Sequence, residues 1–210
     1  RELGGNITRV KLDSQFRCNG SDSYLSWLDD VLQIRETANS NHMGTNYDFR
    51  IYSNPVEMLD EIKRLNKNNN KSRMVAGYCW NWIKEGKANT NIHDIDIAEF
   101  NFSMSWNLNN SETWAIDENS INEIGCIHTC QGLEFDYVGV IIGDDLICRD
   151  GEVLSDFTKR AQTDNSLKGL KKMLKEKPEE AKKLADEIIR NTYRTLMTRG
   201  QKGCFIYCTD

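Results

Sequence analysis

The feature that most constrains this chain is an alternation, repeated along its length, of short apolar runs with segments whose apolar residues recur every three to four positions. The first pattern is that of a strand and the second that of a helix with one buried face. Ile7, Val10 and Leu12 mark a first strand, followed by Ser21 and Asp22 as caps of a helix with Tyr24, Leu25, Leu28, Val31 and Leu32 on one side. Asp48 to Tyr52 reads as a second strand. Pro55 then opens a helix carrying Val56, Leu59, Ile62 and Leu65, because proline's missing N–H costs nothing in a first turn. Met74 to Trp80, Ile124 to Thr129 and Tyr137 to Ile142 are nearly continuous apolar runs, the pattern of central strands covered on both faces. A helix from Pro178 to Met197 has Ala181, Leu184, Ala185, Ile188 and Ile189 in phase and Glu179 and Glu180 at its positive end. Gly200 and Gly203 then let the chain turn into a last buried strand, Cys204 to Cys208. Strands joined by helices specify an α/β fold of three layers, α/β/α, around a mostly parallel sheet. Residues 92–123 hold Trp106 and Trp114 among many polar residues without a clear period. They read as part of an irregular excursion from the sheet at about 82–122.

At 210 residues the chain is long enough for one full hydrophobic core, and a single domain over 1–210 is expected. Its 27 basic and 32 acidic residues leave a formal charge of −5. It lacks the basic excess of an autonomous nucleic-acid binder, so any contact with nucleic acid would have to be local. The charge is uneven: residues 92–156 carry 14 acids and one base, Arg149, whereas 168–190 carry eight bases and five acids. No window approaches the roughly 18 consecutive apolar residues of a membrane span, and the N-terminus lacks the apolar core of a signal peptide. A cytoplasmic protein without a membrane partner is the expectation. A start at Arg1, in the approach to a strand, fits a piece of a longer protein.

The seven cysteines are odd in number and scattered through apolar segments, which argues against a disulfide framework. Cys126 and Cys130, with His128 between them, and Cys204 and Cys208 have spacings that raise zinc. In Cys204–Cys208, however, a period of two puts both sulfurs on the face of Ile206, where cysteine serves as a small core residue. No metal site is assigned.

Three segments carry more hydrogen-bonding groups than their structural roles require. The first, Ile127 to Asp136, joins two apolar strands through His128, Thr129, Gln131, Gly132 and Glu134. In open α/β sheets ligands bind beyond the carboxyl ends of the strands, and Gly132 permits close approach of backbone. In the second, Asn191 to Gly203, Arg199 stands between a helix and a buried strand. A guanidinium there can fork two hydrogen bonds onto phosphate, or simply face the negative end of the helix. The third, Leu12 to Arg17, places Gln15 and Arg17 just after the first strand.

In order and context these segments resemble the second RecA-like domain of superfamily-one helicases of the UvrD kind. His128 to Asp136 is similar to that family's fifth motif, Tyr193 to Gly200 to its sixth, and Gln15-Phe16-Arg17 to its fourth. The wording GLEFDYVGVIIGDDL and NTYR.LMTRG.KG.FIY resembles more closely a bacterial helicase-like family related to the Schlafen helicase domain, from about residue 8 onward and only loosely over 82–122.

The resemblance implies half of an ATP site. ATP with Mg2+ would lie between this domain and an N-terminal RecA-like domain that supplies the phosphate loop and the magnesium carboxylates. Arg17 and Arg199 would reach the γ-phosphate as arginine fingers. Gln15 and Gly132 would line the nucleotide, and Glu134 would accept from its ribose. His128, Thr129 and Gln131 would contact single-stranded nucleic acid. Gln131 stands where many relatives have lysine, and Gly200 where alanine is frequent. The chain contains no Gly-x-x-x-x-Gly-Lys-Ser/Thr and no strand ending in an Asp-Glu pair, so alone it is not expected to hydrolyse ATP. Asp144 and Asp145 follow a strand, but the family's magnesium ligands lie in the other domain. The alternative is a RecA-like interaction module of an NTPase that switches without translocating. A dinucleotide enzyme lacks its Gly-x-Gly-x-x-Gly.

Overall fold

The computed structural model of the chain describes Cys18 and residues 21–37, 46–83, 91–107 and 113–210. In chain order its elements are α1 (Asp22–Val31), β1 (Asp48–Ile51), α2 (Pro55–Asn66), β2 (Ser72–Ala76), β3 (Ile95–Ile97), β4 (Phe102–Trp106) and β5 (Glu123–Gly125). There follow α3 (Ile127–Cys130), β6 (Phe135–Ile142), β7 (Leu146–Arg149), β8 (Glu152–Ser155), α4 (Leu170–Glu176), α5 (Pro178–Met197) and β9 (Gly200–Cys208). The helix starts follow from local chemistry. Ser21 Oγ accepts the N–H of Tyr24 at 3.3 Å, and Asn54 Oδ1 that of Val56 at 2.8 Å, with Pro55 in the first turn of α2.

Seven strands form one sheet in the order β1-β9-β6-β2-β5-β4-β3. All pairs are parallel except β3 with β4. Strand alternation divides the core in two. Val75, Val138, Val140, Cys204 and Ile206 meet Tyr24 and Leu28 of α1 and Ile189, Tyr193 and Leu196 of α5. On the opposite face Met74, Ala76, Ile141 and Phe205 meet Met58 and Ile62 of α2. The result is the three-layer α/β arrangement that the alternating pattern requires, and each fully buried Leu or Ile contributes about 1.5–3 kcal/mol.

The start of β2 is tied down by a fully buried arginine. Arg73 donates to Asn66 Oδ1 (2.8 Å), Asn70 Oδ1 (3.0 Å), Ser120 Oγ (2.7 Å) and the carbonyls of Ala115 and Asp117 (both 3.0 Å), with its guanidinium 5.9 Å from the Trp114 ring. The polar Asn-Lys tract after α2 thus has a structural use: its amides solvate a cation that water does not reach.

Several boundaries differ from the pattern-based reading. β2 stops at Ala76, since Gly77 turns the chain and Trp80 and Trp82 pack outside the sheet. β5 stops at Gly125, and His128 and Thr129 lie on the short helix α3. An apolar run alone does not separate a strand from a buried helical turn. The segment 82–122 is only partly an excursion, because β3 and β4 lie within it and extend the sheet. Cys204 is buried but Cys208, at the end of its strand, is exposed. A hairpin, β7 with β8, turns on Asp150 and Gly151, both at positive φ (52° and 82°), the geometry an Asp-Gly turn favours. Ile7, Val10 and Leu12 lie outside the described residues. No helix among the described residues is long and apolar enough to cross a membrane.

Gly77, just past the end of β2, lies directly against Tyr193 of α5. A Cβ built there would sit 1.9 Å from Tyr193 Oη. Gly77→Ala should therefore displace the Tyr193 ring and destabilise the chain by about 1–3 kcal/mol, seen as a lower urea midpoint at unchanged slope.

Candidate functional site

The segment between β5 and β6 runs from one edge of the sheet to the other. Gly125 lies level with Val75 and, through β2, with Val140, whereas Phe135 pairs with Gly200. Residues 126–134 therefore travel back along about five residues of β6, roughly 17 Å at strand spacing. His128 is near the carboxyl-terminal edge of the central strands, and Glu134 is at the amino-terminal edge. Along this path Gln131, Gly132 and Glu134 are exposed. Gly132 has φ +84° with no atom within 4 Å of where a Cβ would be, so only its backbone conformation demands glycine.

Arg199 holds the far end of this segment. It follows the C-cap of α5, is 2% exposed, and donates from Nε to the Thr195 carbonyl (3.0 Å) and from Nη1 to the Leu133 carbonyl (3.1 Å). Its own carbonyl accepts from Phe135 N at 2.8 Å. Of the sequence-derived candidates, Gly132, Glu134 and Arg199 are thus neighbours along one edge, while His128 and Thr129 form a second group. Gln15 and Arg17 lie outside the described residues.

The His128 side chain is 48% exposed, its Nε2 3.7 Å from Asp164 Oδ1 and its ring edge-on to Tyr78 at 6.0 Å. Thr129 is turned inward: its hydroxyl donates to Asn107 Oδ1 at 2.7 Å and lies 3.4 Å from Cys126 Sγ. Of the two, only the imidazole faces solvent as the loop stands.

Behind His128 lies a buried polar cluster. Arg160, its side chain 1% exposed, bridges Asp145 (Nη1 to Oδ2, 2.9 Å) and Asp164 (Nε to Oδ2, 2.8 Å). Tyr193 of α5 donates its hydroxyl to Asp145 and accepts the Gly143 N–H at 3.0 Å. Asp164 also accepts from Ser166 N (2.9 Å) and Oγ (2.6 Å). Burial opposes ionisation of Asp164, but Arg160 and the Ser166 hydrogen bonds outweigh it and hold the carboxyl below its ordinary range. Burial opposes the charge on Arg160 too, and the two carboxylates raise its pKa regardless. Burial raises the Tyr193 phenol far above its usual value, keeping it a donor. Asp145, considered above beside Asp144 as a metal carboxylate, is committed to this ion pair, and Asp144 accepts from Thr209 Oγ1 at 2.7 Å. Cys126 and Cys130 pack in opposite cores. Among the described residues no group of three or more His, Cys, Asp or Glu is placed to hold a metal ion.

The motif residues do not include Arg160, Asp164 or Tyr78, which stand against His128 or behind it. Tyr193 was within a matched segment, but nothing in its spacing pointed to Asp145, 48 residues away.

A mostly parallel seven-stranded sheet with helices on both faces places the chain among α/β domains. Within that class the model of the Schlafen group 3, DNA/RNA helicase domain matches residues 2–210, and the chain belongs to that family. It is 25% identical over 225 residues to uncharacterized protein YPL245W of Saccharomyces cerevisiae, covering 95% of this chain and 45% of that protein. The chain therefore spans less than half of that relative's length. Among solved structures it is similar to the C-terminal domain of a possible DNA helicase from Lactobacillus plantarum WCFS1. That likeness has 11% identity, a TM-score of 0.33, and coverage of 90% of this chain and 84% of that one.

Two outcomes follow for the buried cluster. Tyr193→Phe removes one donor to Asp145 and strands the Gly143 N–H, at an expected cost of about 1–3 kcal/mol in urea denaturation. A carboxyl with a depressed folded pKa contributes stability above its unfolded pKa of about 3.9 and loses it as pH falls through the folded value. Unfolding free energy should therefore decline below about pH 4, and Asp164→Asn should flatten that acid limb while lowering stability at pH 7.

Proposed function

We propose that this helicase-family chain is the second RecA-like half of an ATP-dependent helicase-like NTPase of the UvrD kind. It would work with an N-terminal Walker-bearing domain that completes the ATP site. ATP with Mg2+ is its substrate in this reading, held from this side by Arg199 and Arg17, with Gly132, Glu134 and Gln15 along the nucleotide. His128, Thr129 and Gln131 contact single-stranded nucleic acid in this reading, Thr129 only once its hydroxyl leaves Asn107. Membership of a DNA/RNA helicase domain family supports the assignment.

The observation that carries the reading is the hydrogen bond from Arg199 to the Leu133 carbonyl. Arg199 donates to the neutral carbonyls of Thr195 and Leu133, and a hydrogen bond to an ionised acceptor is roughly twice as strong as one to a neutral group. A phosphate brought to this edge would compete for the guanidinium and release Leu133. Because residues 126–134 are one continuous segment, that release alters the constraint on the loop bearing His128. Nucleotide at one edge and strand at the other are thereby linked through a single backbone. Arg199 would also stabilise charge developing on the transferred phosphoryl group.

The second reading, an interaction module of a non-translocating NTPase, draws on Thr129, whose hydroxyl is committed to Asn107, and on Gln131 in place of lysine. The full-length protein separates the two. Arg199→Ala should cut ATP turnover about a thousandfold or more, with Arg199→Lys recovering little because lysine lacks the planar fork. His128→Ala should lower the stimulation of turnover by single-stranded oligonucleotide several-fold. Unchanged stimulation in His128→Ala and Gln131→Ala would favour the interaction module, and unchanged turnover in Arg199→Ala would remove the arginine-finger role.

A further inference from the structure

Of the seven cysteines, Cys148 of β7 and Cys208 at the end of β9 are the two exposed ones. Cys18, Cys126, Cys130 and Cys204 are buried and Cys79 is half-buried. Burial pushes the thiols of Cys79, Cys130 and Cys204 far above their usual range, which leaves them inert toward oxidants. A place in the core accounts for those residues. It does not account for Cys148 and Cys208, which are distant in sequence and adjacent in the fold.

Strand alternation aims the two side chains at one place. Cys148 follows Leu146 at a spacing of two in β7, and Cys208 follows Ile206 in the same way in β9, so each shares a face with its apolar neighbour. Leu146 and Ile206 belong to one core cluster. Both cysteines, with those two residues, line one cavity of about 460 Å3.

The backbone that carries them is held by ties that use neither sulfur. Cys148 lies between Asp144 and Arg149, and both of these grip the residues that follow Cys208. Thr209 donates from Oγ1 to Asp144 Oδ1 (2.7 Å) and from N to the Ile142 carbonyl (3.0 Å), and Arg149 forks onto both carboxylate oxygens of Asp210. Desolvation and the Asp210 carboxylate raise the Cys208 pKa, and the Cys148 thiol, near enough to act through charge, adds to them. A disulfide requires Cα atoms within about 7 Å and side chains that face each other, and two strands pinned side by side around the thiols favour that approach.

We propose that Cys148 and Cys208 are a redox pair, which a hydroperoxide closes into a reversible disulfide that staples the β7-β8 hairpin to the end of β9. The surroundings of Cys208 disfavour its thiolate, so Cys148 reacts first. Its thiolate attacks a peroxide oxygen, the O–O bond breaks, and Cys148 becomes a sulfenic acid while the other oxygen takes up a proton and leaves as alcohol or water. The Cys208 sulfur then attacks that of Cys148, the S–O bond breaks, and hydroxide leaves as water with the Cys208 proton. The two sulfurs give up the two electrons that the peroxide gains, and a dithiol returns them. In the reduced protein Gln33 holds the hairpin through the Gly151 carbonyl (2.9 Å) and Val153 N (3.1 Å), and Arg190 through the Val153 carbonyl (2.6 Å). The disulfide adds a covalent tie on the β7 strand and restrains local opening of the turn.

The test treats the full-length protein with hydrogen peroxide, followed by a non-reducing digest and mass spectrometry. A linked peptide pair containing Cys148 and Cys208, lighter by the two thiol hydrogens and separated again by dithiothreitol, is expected. Cys208→Ser should accumulate a sulfenic acid on Cys148 that dimedone traps, whereas Cys148→Ser should leave Cys208 reduced at the same dose. Glutamyl endopeptidase should cut the oxidised wild type after Glu152 at least threefold more slowly than the reduced protein, and oxidation should not slow the cut in either serine variant. Separate oxidation of the two thiols to sulfinic acids, or a bridge to another cysteine or a second molecule, would overturn the pair. A Cys148–Cys208 bridge that leaves the cutting rate unchanged would overturn the staple.

Discussion

One buried guanidinium organises the carboxyl-terminal edge of this domain. Arg160 sits between Asp145, at the exit of β6, and Asp164, in the connection toward α4, and all three side chains are almost wholly removed from water. Taking charges out of water costs several kcal/mol per ion, recovered only when geometry is good and every remaining lone pair is met. Here the remaining acceptors are met by Tyr193 and by Ser166. Removing any one partner would leave an uncompensated charge, so the connection over 156–166, the end of β6 and the middle of α5 are obliged to stay in register. A hydrophobic cluster of the same volume would give cohesion, but it would not impose one alignment.

That alignment fastens the candidate ligand-binding segment at both ends to the same helix. His128 stands against Asp164, whose chain of contacts runs through Arg160 and Asp145 to Tyr193 in α5. Leu133 is held by Arg199, just beyond the end of α5. The end of α5 therefore connects to both edges of the sheet, through Tyr193 at one and through Arg199, just past the helix, at the other.

Much of the fold was legible because its physics is local. The boundaries of α2 and α5 follow from proline and acids at one end and from apolar phase along the face. β6 and β9 follow from continuous apolar runs. The Asp150-Gly151 turn was readable by the same logic, since Asp-Gly between apolar stretches signals a hairpin, although the segment around it is strongly acidic and drew attention to charge instead. β3 and β4 were not legible. They are three and five residues long, too short for a period to stand out, and they become strands because β5 offers an edge to pair with. Asn66 and Asn70 read as a solvated tract because their partner, Arg73, is buried by distant segments.

By itself the sequence determined the alternation of strands and helices, and hence a mostly parallel sheet with helices on both faces, because amphipathic periodicity acts over a few residues. It also singled out short segments dense in hydrogen-bonding side chains, through residue types that a core has no use for. Only the tertiary structure decided that Arg199 and His128 belong to opposite edges, that Thr129 and Asp145 are spent on internal partners, and that Tyr78, stacked on Trp106, meets the His128 imidazole. Those outcomes depend on register and on long-range packing, which bring together groups tens of residues apart that no local pattern relates.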